Sequence, residues 1–253
     1  MKVYSLGNKA GPTLMLLPGT CCHWKSNFAP VLPLLEPHFH VLCVSYDGFD
    51  ETEPDTTFPT MEEEAAKIEA YINKNLGGHL HAAYGCSLGG SFVGLLAARQ
   101  NIRLEIGILG SSDLDQASPF VAKLETDIAL PLIYPVVRDG RFKSKLLNKK
   151  MEKRKQEMPG YVDKFMEIMG GARPYVSLQS CKNQFYSDMI TPLPDRWDGA
   201  IHIFYALKMG EKYRARYAQH YAHPIIHEQD MQHEELLACH PEQWAALVKE
   251  ICL

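Results

Sequence analysis

The chain has 253 residues, of which 46% are hydrophobic and 22% charged, and its formal net charge is −4. That length and balance fit a soluble globular protein whose single core is large enough to carry an insertion. The negative balance gives no reason to expect nucleic acid or an anionic membrane as partner, and no apolar run approaches the ~20 residues of a membrane span.

The first residues, MKVYSLGNKAGP, lack the apolar stretch of a secretion signal. Thr13 to Leu17 (TLMLL) predicts a strand closed by Pro18-Gly19, and the loop Thr20-Cys21-Cys22-His23-Trp24 leads to a helix over Phe28–Leu35. Phe39 to Val44 predicts the next strand, ending in Ser45-Tyr46-Asp47-Gly48. Thr60 reads as the N-cap of a helix whose first turn, Met61-Glu62-Glu63-Glu64, carries the negative charge favoured there, as a solvated helix start. Ala65, Ile68, Tyr71 and Ile72 give that helix one apolar face. The seven cysteines are scattered, with no C-x-x-C pair. They read as reduced thiols in a cytoplasmic protein, with no metal site implied.

Residues 80–98 hold the most informative pattern. Leu80–Tyr84 is a short apolar run, Gly85-Cys86-Ser87-Leu88-Gly89 is a G-x-S-x-G turn, and Phe92, Val93, Leu95 and Leu96 supply helical periodicity immediately after it. A strand, a tight turn and a helix in that order raise the Ser87 hydroxyl clear of a sheet and set it at the positive end of a helix. That is a nucleophile's position. Ile106–Leu109 is the next buried strand, ending in Gly110-Ser111-Ser112-Asp113. Alternating strands and helices imply a mostly parallel sheet with helices on both faces, and ligands bind beyond the carboxyl ends of such strands.

Residues 116–197 change character, with helical segments, many methionines and prolines, and no clear strand. They read as an inserted helical lid over a core formed by 1–115 and 198–253. Its basic run, Arg141 to Lys155, reads first as a solvated helix face. Phe120, Leu132, Ile133, Tyr134, Phe142, Phe165, Met166, Met169, Tyr175, Phe185 and Tyr186 are candidates for an apolar substrate pocket or for the lid's own core. Ile201–Leu207 returns to the sheet, Pro224-Ile225-Ile226 is the last strand, and Pro241–Ile251 the last helix.

The G-x-S-x-G turn, the Pro18-Gly19-Thr20 loop and the segment from Gln232-His233-Glu234 to His240-Pro241 together resemble the α/β-hydrolase family over nearly the whole chain. The resemblance implies an α/β-hydrolase fold with a helical lid and no cofactor. Its substrate would be a small-molecule acyl compound cleaved through an acyl-enzyme on Ser87. It assigns the general base to His233, ahead of His220, His223, His227 and His240. It assigns the oxyanion hole to the backbone N–H groups of Leu88 and Thr20, with Cys21 as the alternative to Thr20. For the orienting acid the pattern departs, because the usual position falls at Met209, with Tyr213 in another register. Asp113 is then the first candidate and Glu211 the second. Two other readings stay open: cleavage of a C–C bond or lyase chemistry on the same fold, and a small-molecule binding protein with a vestigial triad. The oligomeric state is not legible.

Overall fold

A computed structural model describes residues 1–253. Seven strands form one sheet: β1 (Lys2–Gly7), β2 (Thr13–Leu17), β3 (His40–Ser45), β4 (His79–Cys86), β5 (Arg103–Gly110), β6 (Ala200–Ala206) and β7 (Ile225–Gln229), in the spatial order β1-β3-β2-β4-β5-β6-β7. Every pairing is parallel except that of β1 with β3. Leu14–Leu17 of β2 and Val41–Ser45 of β3 are fully covered, as strands flanked by helices on both faces must be. The register sets Leu17 beside Gly85 and Cys86 beside Gly110, so β2, β4 and β5 end together at one edge of the sheet.

On one face lie α3 (Met61–Leu76) and α4 (Leu88–Arg99), whose Ile68, Ile72, Phe92 and Leu96 are fully buried in a core shared with Tyr46, which stacks on Phe92 at 4.9 Å. The other face is covered by α1 (Trp24–Phe28), α2 (Leu32–Leu35) and α11 (Pro241–Cys252), with Phe28, Leu35, Trp244 and Val248 in a second core. The single helix expected over Phe28–Leu35 is thus two short ones. Pro30 has no N–H to continue the first ladder, and the chain re-enters helix with Pro33 in its opening turn. Thr60 caps α3 as expected, accepting from the Glu63 N–H. Glu64, however, is not solvated: it is buried, accepts the Asp47 N–H at 2.6 Å and pairs with Lys67 at 2.9 Å.

Between β5 and β6 the chain forms four helices, α5 (Pro119–Asp139), α6 (Lys145–Glu157), α7 (Tyr161–Met169) and α8 (Leu178–Ile190). Ser118, Ser144 and Ser177 cap α5, α6 and α8 by accepting backbone N–H groups. The basic run forms α6, none of whose residues is buried. Helix α8 fastens this insertion to the sheet domain: Ser180 accepts the Phe58 N–H, Ser187 the Met61 N–H, and Gln184 the Cys21 N–H. After β6 a 3-10 turn, Leu207–Met209, leads into α9 (Glu211–His220), and α10 (Glu235–Cys239) precedes α11. All seven cysteines are free thiols. No helix is long and apolar enough to cross a membrane.

Candidate active site

Ser87 sits between β4 and α4 with φ 49° and ψ −111°, a strained conformation for any residue but glycine. The turn closes because its flanking positions have no side chain: a Cβ on Gly85 would collide with the Gly89 carbonyl, and one on Gly89 with the Leu17 carbonyl. The Ser87 N–H donates to Gly110 O at 2.8 Å, pinning the turn to β5. The Ser87 hydroxyl does not cap α4, and Ser87 lines a cavity at this end of the sheet.

That cavity measures about 310 Å³ and is mostly apolar. Gly19, Thr20, Cys22, Cys86 and Ser87 form its floor together with His233, and Ile133, Phe142, Phe165, Met166, Met169 and Phe185 of the insertion form its roof and walls. Phe120 and Leu132 are instead 78% and 49% exposed on the outside of α5. Tyr134 and Tyr175 turn their hydroxyls to the backbone carbonyls of Val176 and Phe49.

His233 arrives in the loop between β7 and α10 and shares the cavity with Ser87, although no direct hydrogen bond joins the two side chains. Such bonds are often long before substrate binds and tighten when it does. Burial pushes the imidazole down to about 4, so it is a neutral, proton-accepting ring throughout the neutral range. The rival histidines point elsewhere. His202 and His227 face each other at 3.0 Å, His220 bonds to Pro194 O, and His223 and His240 are exposed.

The two candidate acids do not meet the imidazole. Asp113 lies just past β5, half-buried toward α8 and α9, where burial and the nearby Asp115 raise its carboxyl above the usual range. Arg216 donates to its backbone carbonyl and pairs with Asp115. Glu211 is exposed in the first turn of α9, and Met209 closes the 3-10 turn before it. No carboxylate is hydrogen-bonded to the His233 ring, whose proton affinity is lowered by burial.

For the oxyanion hole the two loop registers separate. The Cys21 N–H is spent on Gln184 Oε1 at 2.8 Å, whereas the N–H groups of Thr20 and Leu88 have no acceptor in the protein. Asn27, which the sequence did not single out, steadies this loop: its Oδ1 accepts the Gly19 N–H at 2.9 Å and its Nδ2 donates to Cys86 Sγ at 3.4 Å. Glu234 was also unmarked, since nothing in a run of two glutamates tells which one is buried. It accepts the Ser87 N–H at 3.2 Å.

Residues 14–250 match the model of the alpha/beta hydrolase family. No curated protein matches the chain. Among solved structures, an alpha/beta hydrolase family protein from Desulfitobacterium hafniense superposes with a TM-score of 0.77 at 19% identity, covering 99% of each chain. The enol-lactonase from Burkholderia xenovorans LB400 gives 0.67 at 16% identity over 98% of this chain and 95% of its own. A thermophilic esterase from Thermogutta terrifontis gives 0.69 at 17% identity, over 99% and 92%. These likenesses show a shared fold, and with the match over residues 14–250 the chain belongs to the alpha/beta hydrolase family.

Proposed function

We propose that this protein is a serine hydrolase that cleaves an ester, thioester, lactone or related acyl bond of a small, largely apolar substrate. One observation carries the reading: a serine held at a strained turn lines the same apolar cavity as a neutral imidazole. Ser87 Oγ attacks the acyl carbon as its proton passes to His233. The developing oxyanion is met by the unpaired N–H groups of Thr20 and Leu88, where each such donor is worth about 3–4 kcal/mol in related chemistry. His233 then protonates the leaving group, and water, activated by the same ring, releases the acid. The enol-lactonase and esterase activities named for two structural neighbours support an acyl bond as the target.

Replacement Ser87→Ala is expected to lower kcat by roughly 10⁴–10⁶ on any good ester substrate. Retention of activity within tenfold would remove Ser87 from the mechanism. A second reading, a binding protein with a vestigial serine–histidine pair, draws on the absence of a carboxylate at the His233 ring. Covalent labelling of Ser87 by a fluorophosphonate separates the two, because only an activated serine reacts.

A further inference from the structure

Glu234 is buried beneath the nucleophile turn. Its Oε1 accepts the Ser87 N–H and its Oε2 accepts the Tyr84 hydroxyl, each at 3.2 Å. Its own N–H donates to Ser111 Oγ at 3.0 Å, and its carbonyl accepts the Ala238 N–H at 3.0 Å. The carboxyl fits against Gly110, where a Cβ would lie 3.0 Å from Oε1. To make these contacts Glu234 takes a left-handed backbone, φ 56° and ψ 13°, which side chains other than glycine adopt at a cost. One residue thus fastens three segments: the end of β4, the turn after β5 and the loop that carries His233. The ring of His233 has no side-chain hydrogen bond, and Tyr161 holds only its backbone carbonyl, at 2.9 Å. Its position is therefore set through the backbone, and the next residue anchors that backbone to the serine turn.

We propose that Glu234 is a positioning residue whose carboxyl group locks the His233 loop to the nucleophile turn and so sets the geometry between Ser87 and His233. The inference rests on the hydrolase reading above, and it assigns to a backbone clamp the orienting work that a carboxylate on the imidazole does elsewhere in this kind of chemistry. The neutral form is the better clamp: Oε1 accepts the Ser87 N–H while a protonated Oε2 donates to the Tyr84 oxygen, which can accept as well as donate. Ionisation leaves a buried charge whose desolvation these bonds only partly offset.

The groups around the carboxyl stay neutral while it titrates. Tyr84 and Cys86 of β4, Cys22 of the loop after β2, Tyr161 of α7 and Tyr217 of α9 are all raised by burial, which keeps them protonated near neutrality. Burial pushes Glu234 up to about 7, whereas His233 is pushed down to about 4. The clamp is therefore strongest while the carboxyl is neutral and loosens as pH rises through about 7.

The test is the pH dependence of kcat and KM for p-nitrophenyl butyrate, from about pH 5 to about pH 9, in wild type, Glu234→Gln and Glu234→Ala, alongside fluorophosphonate labelling of Ser87. Wild-type kcat is expected to fall about tenfold as pH rises through an inflection near 7, separate from the loss of the base at low pH near 4. Glu234→Gln, which copies the neutral carboxyl, is expected to keep kcat at about pH 6 and KM within about threefold of wild type and to abolish the inflection, with Glu234→Ala losing about a hundredfold. An inflection near pH 7 that survives in Glu234→Gln overturns the proposal, as does wild-type kcat in Glu234→Ala. If Glu234→Ala fails to fold, the glutamine profile decides alone. Failure of wild-type Ser87 to label sinks the hydrolase reading itself, whereas normal labelling with unaltered variant kinetics sinks only the clamp.

Discussion

Asn27 shows how a single amide steadies two segments that meet at Ser87. Its oxygen holds the Gly19 N–H and its nitrogen reaches Cys86 Sγ, so the loop after β2 and the residue before the nucleophile are fixed by one buried group. Replacement Asn27→Leu leaves the Gly19 N–H buried without an acceptor, at a cost of about 1–3 kcal/mol. Because Thr20 follows directly, kcat is expected to drop about tenfold as the oxyanion donor drifts, with KM little changed. Thermal unfolding and steady-state kinetics on one ester check both parts. At this scale the sequence was readable where chemistry is written locally. Ser87 and its glycines announce themselves because the turn needs those residue types at that spacing. Glu234 and Asn27 do not, because their work depends on partners far along the chain, such as Tyr84, which lies 150 positions from Glu234.

Among the elements, the buried strands were legible because parallel strands covered on both faces read as continuous apolar runs. Strand β1 and helix α9 were not. Strand β1 is a half-exposed edge with weak alternation, and α9 (EKYRARYAQH) buries only Tyr217, so neither carries a clear period. The insertion was legible as helical, but which of its aromatic and methionine side chains turn inward depends on how α5, α7 and α8 pack, which periodicity does not reveal. Its inward face gives a graded prediction. A buried methylene is worth about 0.8 kcal/mol, so kcat/KM for p-nitrophenyl esters should rise about three- to fourfold per added carbon until the cavity is full, then fall. Replacement Phe165→Ala enlarges the wall and should move the optimum to a longer chain. A flat chain-length profile in both proteins would show that the acyl group does not lie in this cavity.

For the molecule as a whole, the mismatch between Asp113 as expected and Asp113 as found has a bearing on stability. Its carboxyl lies near that of Asp188 on α8, and burial together with Asp113 pushes Asp188 up to about 8, the Ser91 hydroxyl only partly offsetting this. A carboxyl raised in the folded state keeps its proton where the unfolded chain has released it, so its contribution to stability falls as pH rises from about 4 to about 8. Asn cannot ionise and escapes that loss. Asp188→Asn should therefore raise the melting temperature by several degrees at pH 8 and by clearly less at pH 5, as measured by thermal unfolding at both.

The close fit of Gly89 under Leu17 has a wider meaning. The end of β2 launches the loop bearing Thr20, and Gly89 belongs to the helix that starts with Leu88. The two amides proposed to share the substrate's oxygen are thereby referenced to a common point, with no side chain between them to act as a spring. Asn27 on one side and Gln184 of α8 on the other then hold the Thr20 loop against that reference.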